Sequence, residues 1–258
     1  MSNNFFESLS QILRNKTDAK ISRLILGWHA SFILCDDGRY GVGFVPDSMK
    51  EPHTTRPIHT EALLSSSLQE LAKLYVSPFP QEFAAASAAC SVLVPFEKSG
   101  GLMLDEIMPC ARGDKVAVLG YERDLLPFML DWGWRIAVFD DRAAGRKNCF
   151  AQEEFSRGVQ EAEWVWLSPE AIRDRWLLST QGILREKKGC FLQGPGLPAI
   201  PEIFSRLGIT HIVAPVGNDA AKIEAHISAG GSTWLCEALK WRVYARLYSQ
   251  TADFLNEL

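Results

Sequence analysis

Five short polar or glycine-rich segments each follow an apolar run in the second half of the chain. They are GYERD from Gly120, DDR from Asp140, SPE from Ser168, GPGLP from Gly194 and PVGND from Pro215. If the apolar runs are parallel strands, their carboxyl ends meet at one edge of a sheet, where doubly wound folds bind ligands. We therefore expect a ligand site there, facing the N-terminal part of the chain. The candidate ligand-binding residues are Gly120, Tyr121, Asp140, Ser168, Gly194, Pro195, Gly196, Pro215, Gly217, Asn218 and, from an earlier helix, Ser91.

The first of these turns lacks the GxGxxG pattern of dinucleotide-binding folds, because it supplies only Gly120. A close pyrophosphate cradle needs several glycines, so we expect NAD(P) to bind weakly or not at all. Asp140 follows Gly120 by twenty residues, the distance at which dinucleotide and methyl-donor folds place a ribose-binding acid. A solvated acidic turn explains Asp140 equally well. The glycines of GPGLP permit either close approach of a ligand or a tight turn.

The elements that position these turns alternate from Lys115 onward. Five apolar runs, separated by helical stretches, predict a Rossmann-like domain with a mostly parallel sheet of five or more strands: KVAVLG, WRIAVFD, AEWVWLS, GCFLQ and THIVAP. Another helix is expected after the fifth run, with Trp234 and Trp241 as a packing stripe on one helical face. Ser168 before Pro169 is expected to cap a helix.

The first hundred residues have an antiparallel pattern. A helix precedes two strands, SRLILGW and ASFILC, and the DDGR turn leads to a third, YGVGFV. Two helices follow, the second rich in alanine from Ala84 to Ala89. These patterns predict an α+β domain over residues 1–98 and an α/β domain over residues 99–258, joined at the PFEKSGG segment.

This order of elements and turns resembles the bacterial and archaeal family described as putative heavy-metal chelation domains, long classed as domains of unknown function. The resemblance rests on VLG, GPGLP, PVGND and AGGST at 229–233, and it extends over roughly residues 5–245. It implies an enolase-N-terminal-like domain before a Rossmann-like domain, with a site in the cleft between them. It further implies a metal ion as a cofactor or part of the ligand.

Several positions depart from the family pattern. Gly196 replaces the hydroxyl residue of its G-P-S/T-x-P turn, and Ala229 replaces the acid of its E-G-G-G-T motif. Cys90 and Ser91 stand where the family has an Ala-Asn pair, and Arg173 where it has an Asn. These departures indicate a divergent pocket on the shared scaffold.

The sequence by itself offers little for metal ligation or covalent catalysis. His53 and His59 share a Pro- and Thr-rich loop at 46–60 and are the weak metal candidates. The six cysteines are widely spaced without a CxxC pair, so we expect free thiols in a reducing compartment. There is no GxSxG motif. Catalysis is left open.

Charge and hydropathy exclude several other classes. The 258 residues carry 27 Lys and Arg against 31 Asp and Glu, a net charge of −4, which gives no electrostatic basis for binding nucleic acid. No apolar run suits an export signal or a membrane span. We expect a cytoplasmic protein, with a homo-oligomer allowed, that binds a small polar, anionic or metal-bearing ligand. The alternatives are a Rossmann-like enzyme with a nucleotide or methyl-donor cofactor, or a non-catalytic partner-binding protein.

Overall fold

The computed structural model describes residues 3–47, 60–97 and 100–245, and the candidate metal ligands His53 and His59 lie outside these ranges. Its strands are β1 (Ile21–Leu26), β2 (Ala30–Cys35), β3 (Tyr40–Phe44), β4 (Leu102–Met103), β5 (Lys115–Leu119), β6 (Arg135–Phe139), β7 (Cys149–Phe150), β8 (Trp164–Leu167), β9 (Gly189–Gln193), β10 (His211–Gly217) and β11 (Leu239–Ala245). Its helices are α1 (Asn3–Arg14), α2 (Thr60–Ser65), α3 (Leu68–Ala72), α4 (Pro80–Leu93), α5 (Leu104–Ile107), α6 (Leu126–Asp131), α7 (Phe155–Glu161), α8 (Glu170–Arg173), α9 (Trp176–Leu184), α10 (Pro201–Arg206) and α11 (Ala220–Ser228).

The larger sheet has eight strands in the order β4-β11-β10-β9-β8-β5-β6-β7. The six strands from β10 to β7 are parallel, whereas β11 and β4 are antiparallel to their neighbours. Alternate residues of β5 enter different buried clusters, Val116 and Val118 on one face and Ala117 and Leu119 on the other. Burial on both faces explains why these strands are continuous apolar runs. The predicted α/β class with a mostly parallel sheet is confirmed.

The prediction of a helical tryptophan stripe is wrong. Trp241 lies in β11, and Trp234 lies in a single 3-10 turn before it. Their rings nevertheless stack, with centroids 3.6 Å apart and planes 8° from parallel. The alternation of Leu239, Trp241 and Val243 with Lys240 and Arg242 was the local signal for a strand.

The N-terminal layer is a three-stranded antiparallel sheet, β1-β2-β3, packed against α4. The small residues of α4 allow unusually close contact with β3. A Cβ atom placed on Gly43 would lie 2.4 Å from the backbone nitrogen of Ala88, and one on Gly41 would lie 2.5 Å from the carbonyl oxygen of Ala88. Glycine is thus required on β3 because the helix backbone lies directly over it.

One continuous buried cluster joins the N-terminal layer to the parallel sheet. It includes Leu9 of α1, Ala88 of α4, Leu119 of β5 and Leu192 of β9. On the other side of β2, Phe32 packs with Ile223 and Ile227 of α11. These contacts hold the N-terminal layer against the second half of the chain. The predicted boundary at residues 98 and 99 falls outside the described residues.

All six cysteines are free, and five are buried whereas Cys110 is exposed. We expect Cys110 to react first with a thiol reagent in the folded protein, and all six to react in denaturant. Partial desolvation of the Cys110 thiol, together with the negative charge of Asp114, raises its pKa to about 11, so its reaction should be slow near neutral pH although the residue is exposed. Timed thiol titration with and without denaturant measures this, with Cys110→Ser as the control. Fewer than six thiols in denaturant would contradict it.

Candidate functional site

Four of the five predicted turns begin directly after a parallel strand. Gly120, Asp140, Ser168 and Gly194 follow the last residues of β5, β6, β8 and β9. The parallel register brings these four to the carboxyl edge of the sheet. The placement of Pro215 after its strand is wrong, because Pro215 pairs with Trp241 inside β10. The last residue of β10 is Gly217 and the exposed Asn218 follows it.

Asp140 is the centre of a hydrogen-bond network at this edge. Its Oδ2 accepts a hydrogen bond of 2.7 Å from the backbone N–H of Tyr121, and its Oδ1 accepts bonds from Arg142 N at 2.9 Å and Arg142 Nε at 2.8 Å. Arg142 Nη2 donates to Oδ2, and Arg142 Nη1 pairs with Asp47, which follows β3. Asp140 thus positions Arg142, which connects the N-terminal layer to the sheet edge. Burial raises the pKa of Asp140 despite the hydrogen bonds from Tyr121 and Arg142.

We expect nucleotide cofactors to bind poorly because both carboxylate oxygens of Asp140 already accept protein hydrogen bonds. A ribose would have to displace the guanidinium of Arg142 to reach them. Calorimetric titration with NAD+, NADP+ and S-adenosylmethionine measures this. A dissociation constant in the micromolar range for any of the three would contradict the expectation.

A small cavity of about 140 Å³ lies beside Asp140. Glu170 of α8 lies against it, and Glu170 Oε1 accepts a 3.2 Å hydrogen bond from Asp47 N. Burial raises the pKa of Glu170, while Arg173 and Arg142 oppose that increase. The cavity is lined by Asp47, Leu119, Gly120, Phe139, Asp140, Asp141, Arg142, Gln152, Glu170, Arg173 and Asp174.

A second cavity of about 170 Å³ shares Asp47 and Arg142 with the first. Both cavities therefore adjoin the Arg142 bridge, where Asp47 of the N-terminal part meets the sheet edge. The second is lined by His29, Phe44, Val45, Asp47, Tyr121, Glu122, Arg123, Asp124, Arg142, Pro195, Ser232, Thr233 and Trp234.

Glu122 is the functional candidate that the sequence did not single out. Its Oε1 accepts a hydrogen bond from Gln193 Nε2, and its Oε2 accepts one of 2.5 Å from Trp234 Nε1. Burial raises the pKa of Glu122 to about 7, and the negative charges of Glu170 and Asp124 add to the increase. Glu122 can therefore gain or lose a proton near neutral pH. Within the GYERD segment, nothing in the sequence distinguishes it from Asp124.

The GPGLP turn packs against α4 and against Pro169. A Cβ atom on Gly196, whose φ is +79°, would lie 2.6 Å from Ser87 Cβ and 2.9 Å from the carbonyl oxygen of Ser87. One on Gly194 would lie 2.4 Å from Pro169 Cγ. The two glycines therefore permit close contact with α4 and with the turn before α8. Of this turn, Pro195 lines the 170 Å³ cavity.

Four further candidates, Ser91, Gly196, Pro215 and Gly217, line a third cavity of about 390 Å³, whereas Asn218 does not. Ser91 Oγ is 2.8 Å from the carbonyl oxygen of Ala88 and 3.1 Å from that of Val42, and can donate to one of them. The predicted site residues are thus divided between two places.

Ser168 does not cap a helix. The residue before α8 is Pro169, which has no side-chain cap, and Ser168 Oγ is buried without a hydrogen-bond partner among the described residues. It lies 3.3 Å from the position that a Cβ atom on Gly120 would take. Ser168 therefore contributes a buried polar atom directly beneath the first turn.

The donor chemistry for a metal ion is incomplete in the described part of the chain. Within residues 3–47, 60–97 and 100–245, no group of three or more His, Cys, Asp or Glu side chains is arranged to hold one. Three carboxylates at the cleft, those of Asp47, Asp140 and Glu170, are instead paired with Arg142 or Arg173. In the same residues, no helix is both long enough and apolar enough for a membrane span.

The protein has a mostly parallel sheet, and an antiparallel N-terminal layer packs near the carboxyl edge of that sheet, with polar cavities between the two. This arrangement defines a two-layered protein of the Rossmann-like α/β class. The chain belongs to the family DUF364, described as "Putative heavy-metal chelation", whose model matches residues 103–246.

Two solved structures share this fold. A DUF364 protein of unknown function from Desulfitobacterium hafniense DCB-2 is 17% identical with a TM-score of 0.72, covering 95% of this chain and 99% of that one. Another, from Pyrococcus horikoshii, is 14% identical with a TM-score of 0.72, covering 95% and 100%. No curated protein matches the chain.

Proposed function

We propose that this chain binds a small polar ligand, metal-bearing in keeping with the family description, in the cleft between the N-terminal layer and the carboxyl edge of the parallel sheet. The observation that carries the proposal is the bridge from Asp140 through Arg142 to Asp47, because Arg142 and Asp47 line both cavities. Asp140 is buried, and charged groups that converge on cavities at such an edge are typical of binding sites.

The charges around the two cavities favour a ligand with positive charge. Three arginines, Arg123, Arg142 and Arg173, face an excess of carboxylates. A cleft lined mainly by one sign of charge attracts the opposite sign. The carboxylates are Asp47, Glu122, Asp124, Asp140, Asp141, Glu170 and Asp174.

The size of the cavities favours a small ligand. The larger of the two, at about 170 Å³, corresponds to roughly six water molecules at about 30 Å³ each. This is small for a dinucleotide, which agrees with the saturated hydrogen bonding of Asp140. The proposal assigns binding to the cleft as a whole, assigns direct metal ligation to no described residue, and includes no catalytic step.

Calorimetric titration tests the proposal with defined probes: Ni²⁺, Co²⁺, Cu²⁺ and Zn²⁺, the citrate complex of each, and citrate alone. Arg142→Gln removes the bridge, and Arg157→Gln is the matched control because exposed Arg157 pairs with Glu161 on α7. We expect a metal-bearing probe to bind. Arg142→Gln should weaken that binding by about tenfold or more, because Asp47 and Asp140 are no longer held in place by their ion pairs with Arg142. Arg157→Gln should leave it unchanged.

Two outcomes would contradict the proposal: no metal-bearing probe binds, or both variants bind as wild type does. Tight binding of citrate alone would replace the metal-bearing ligand with a purely anionic one. The melting temperature of each variant is measured in parallel, so that loss of folded protein is not mistaken for loss of affinity.

A further inference from the structure

The 170 Å³ cavity combines a partly buried carboxylate with aromatic walls. Glu122 lies at this cavity, and Phe44, Tyr121 and Trp234 line it. Trp241 covers one face of the Trp234 indole, and the guanidinium of Arg146 lies 5.3 Å from the centre of the Tyr121 ring. Carboxylates combined with aromatic faces are the chemistry that recognises organic ammonium groups.

The partners of Glu122 leave its charge uncompensated. Gln193 and Trp234 donate hydrogen bonds to it, but both are neutral. Gln193 is also 1% exposed, and its Oε1 has no hydrogen-bond partner among the described residues. This amide therefore places an unsatisfied acceptor beside Glu122. Buried carboxylates are normally paired with a cation, and here the described protein atoms provide only neutral donors.

None of the groups that act most strongly on Glu122 is a cation. The nearby acids, Glu170 and Asp124, act against its ionisation. Arg142 is already bonded to Asp140 and Asp47. The other titratable groups around the cavity are His29, Asp47, Tyr121 and Arg123.

We infer that the cavity beside Glu122 binds a small organic cation, a quaternary or primary ammonium group, whose charge is balanced by the Glu122 carboxylate. This rests on the proposed function in one respect, the binding of a small polar ligand in this cleft, and it assigns the positive charge of that ligand to an organic cation rather than to a metal ion. Binding of the cation favours the ionised form of Glu122. The carboxyl group therefore loses its proton to the buffer as the cation binds, since its pKa lies near 7 in the free protein.

Choline chloride and its neutral isostere 3,3-dimethylbutan-1-ol are suitable probes because they differ only in charge. At pH 7 and constant ionic strength, we expect choline to bind about tenfold more tightly or better. Glu122→Gln should remove most of this difference, whereas Glu161→Gln, exposed on α7, should retain it. Titrations in buffers of different ionisation enthalpy should show proton release with wild type and none with Glu122→Gln.

Equal affinity for choline and the alcohol, or choline binding that Glu122→Gln leaves intact, would overturn the inference. If choline fails but the citrate complexes bind in an Arg142-dependent manner, the inference is wrong and the proposed function stands. If neither class of probe binds, both are wrong.

Discussion

Gly196→Val is expected to lower the free energy of unfolding by roughly 3 kcal/mol or more, from overpacking and a left-handed backbone together. The new side chain would enter space occupied by Ser87, whose Cβ and carbonyl atoms lie within 2.9 Å of the required Cβ position. The φ of +79° adds strain for a β-branched residue. Because α4 is packed on its other side against β3, it cannot simply move away.

Gly38→Val is the matched control for this prediction. Gly38 has a similar φ of +83°, but nothing lies within 4 Å of its Cβ position. The control therefore isolates the backbone strain, and the additional loss at Gly196 measures the contact with α4. Chemical denaturation of both variants gives the comparison. Equal destabilisation by the two substitutions would show that the GPGLP turn does not depend on packing against Ser87.

The same variant separates two roles of the turn. If Gly196 serves packing, the folded fraction of Gly196→Val should keep its affinity for the citrate-complex probes. If affinity is lost while the unfolding free energy is unchanged, the glycine serves the ligand instead. The close contact with Ser87 favours the first outcome.

Glu122→Gln is expected to stabilise the protein at alkaline pH and to have little effect at pH 4.5. The folded protein holds the Glu122 proton more tightly than the unfolded chain does, since its pKa is about 7 against 4.5. The stability that this group contributes is complete below pH 4.5 and is lost as the pH rises through 7. That difference corresponds to at most roughly 3 kcal/mol, and contact with the open cavity reduces it.

In the wild-type protein, His211 changes the free energy of unfolding with pH in the direction opposite to Glu122. Burial lowers the pKa of His211 from 6.5 to about 4, so its contribution is present above pH 6.5 and is lost as the pH falls toward 4. Between pH 4.5 and 6.5, the pH-dependent contributions of Glu122 and His211 to stability partly cancel. Both proteins contain His211, so its contribution drops out of the difference in unfolding free energy between wild type and Glu122→Gln.

Urea denaturation at pH 4.5, 7 and 8.5 measures the difference, with Glu161→Gln as the exposed control. We expect the stability of Glu122→Gln relative to wild type to increase from pH 4.5 to 8.5, and that of Glu161→Gln relative to wild type to show no trend. An advantage that is independent of pH would mean that Glu122 does not titrate in this range.

The sequence by itself determined the parallel strands and the positions of most turns. These depend on local patterns: apolar runs, their spacing and the polar residues that end them. It therefore placed Gly120, Asp140, Ser168 and Gly194 at strand ends, as the structure has them. The family resemblance carried by the glycine and proline turns is likewise confirmed.

Only the tertiary structure decided what those turns contact. Whether Asp140 meets a ribose or Arg142, and whether Gly196 meets a ligand or Ser87, depends on chain segments distant in sequence that carry no mutual local signal. The pKa of Glu122 depends on Gln193 and Trp234, which lie 71 and 112 residues away along the chain. Burial and electrostatics are properties of the assembled packing, so residue type and spacing alone cannot assign them.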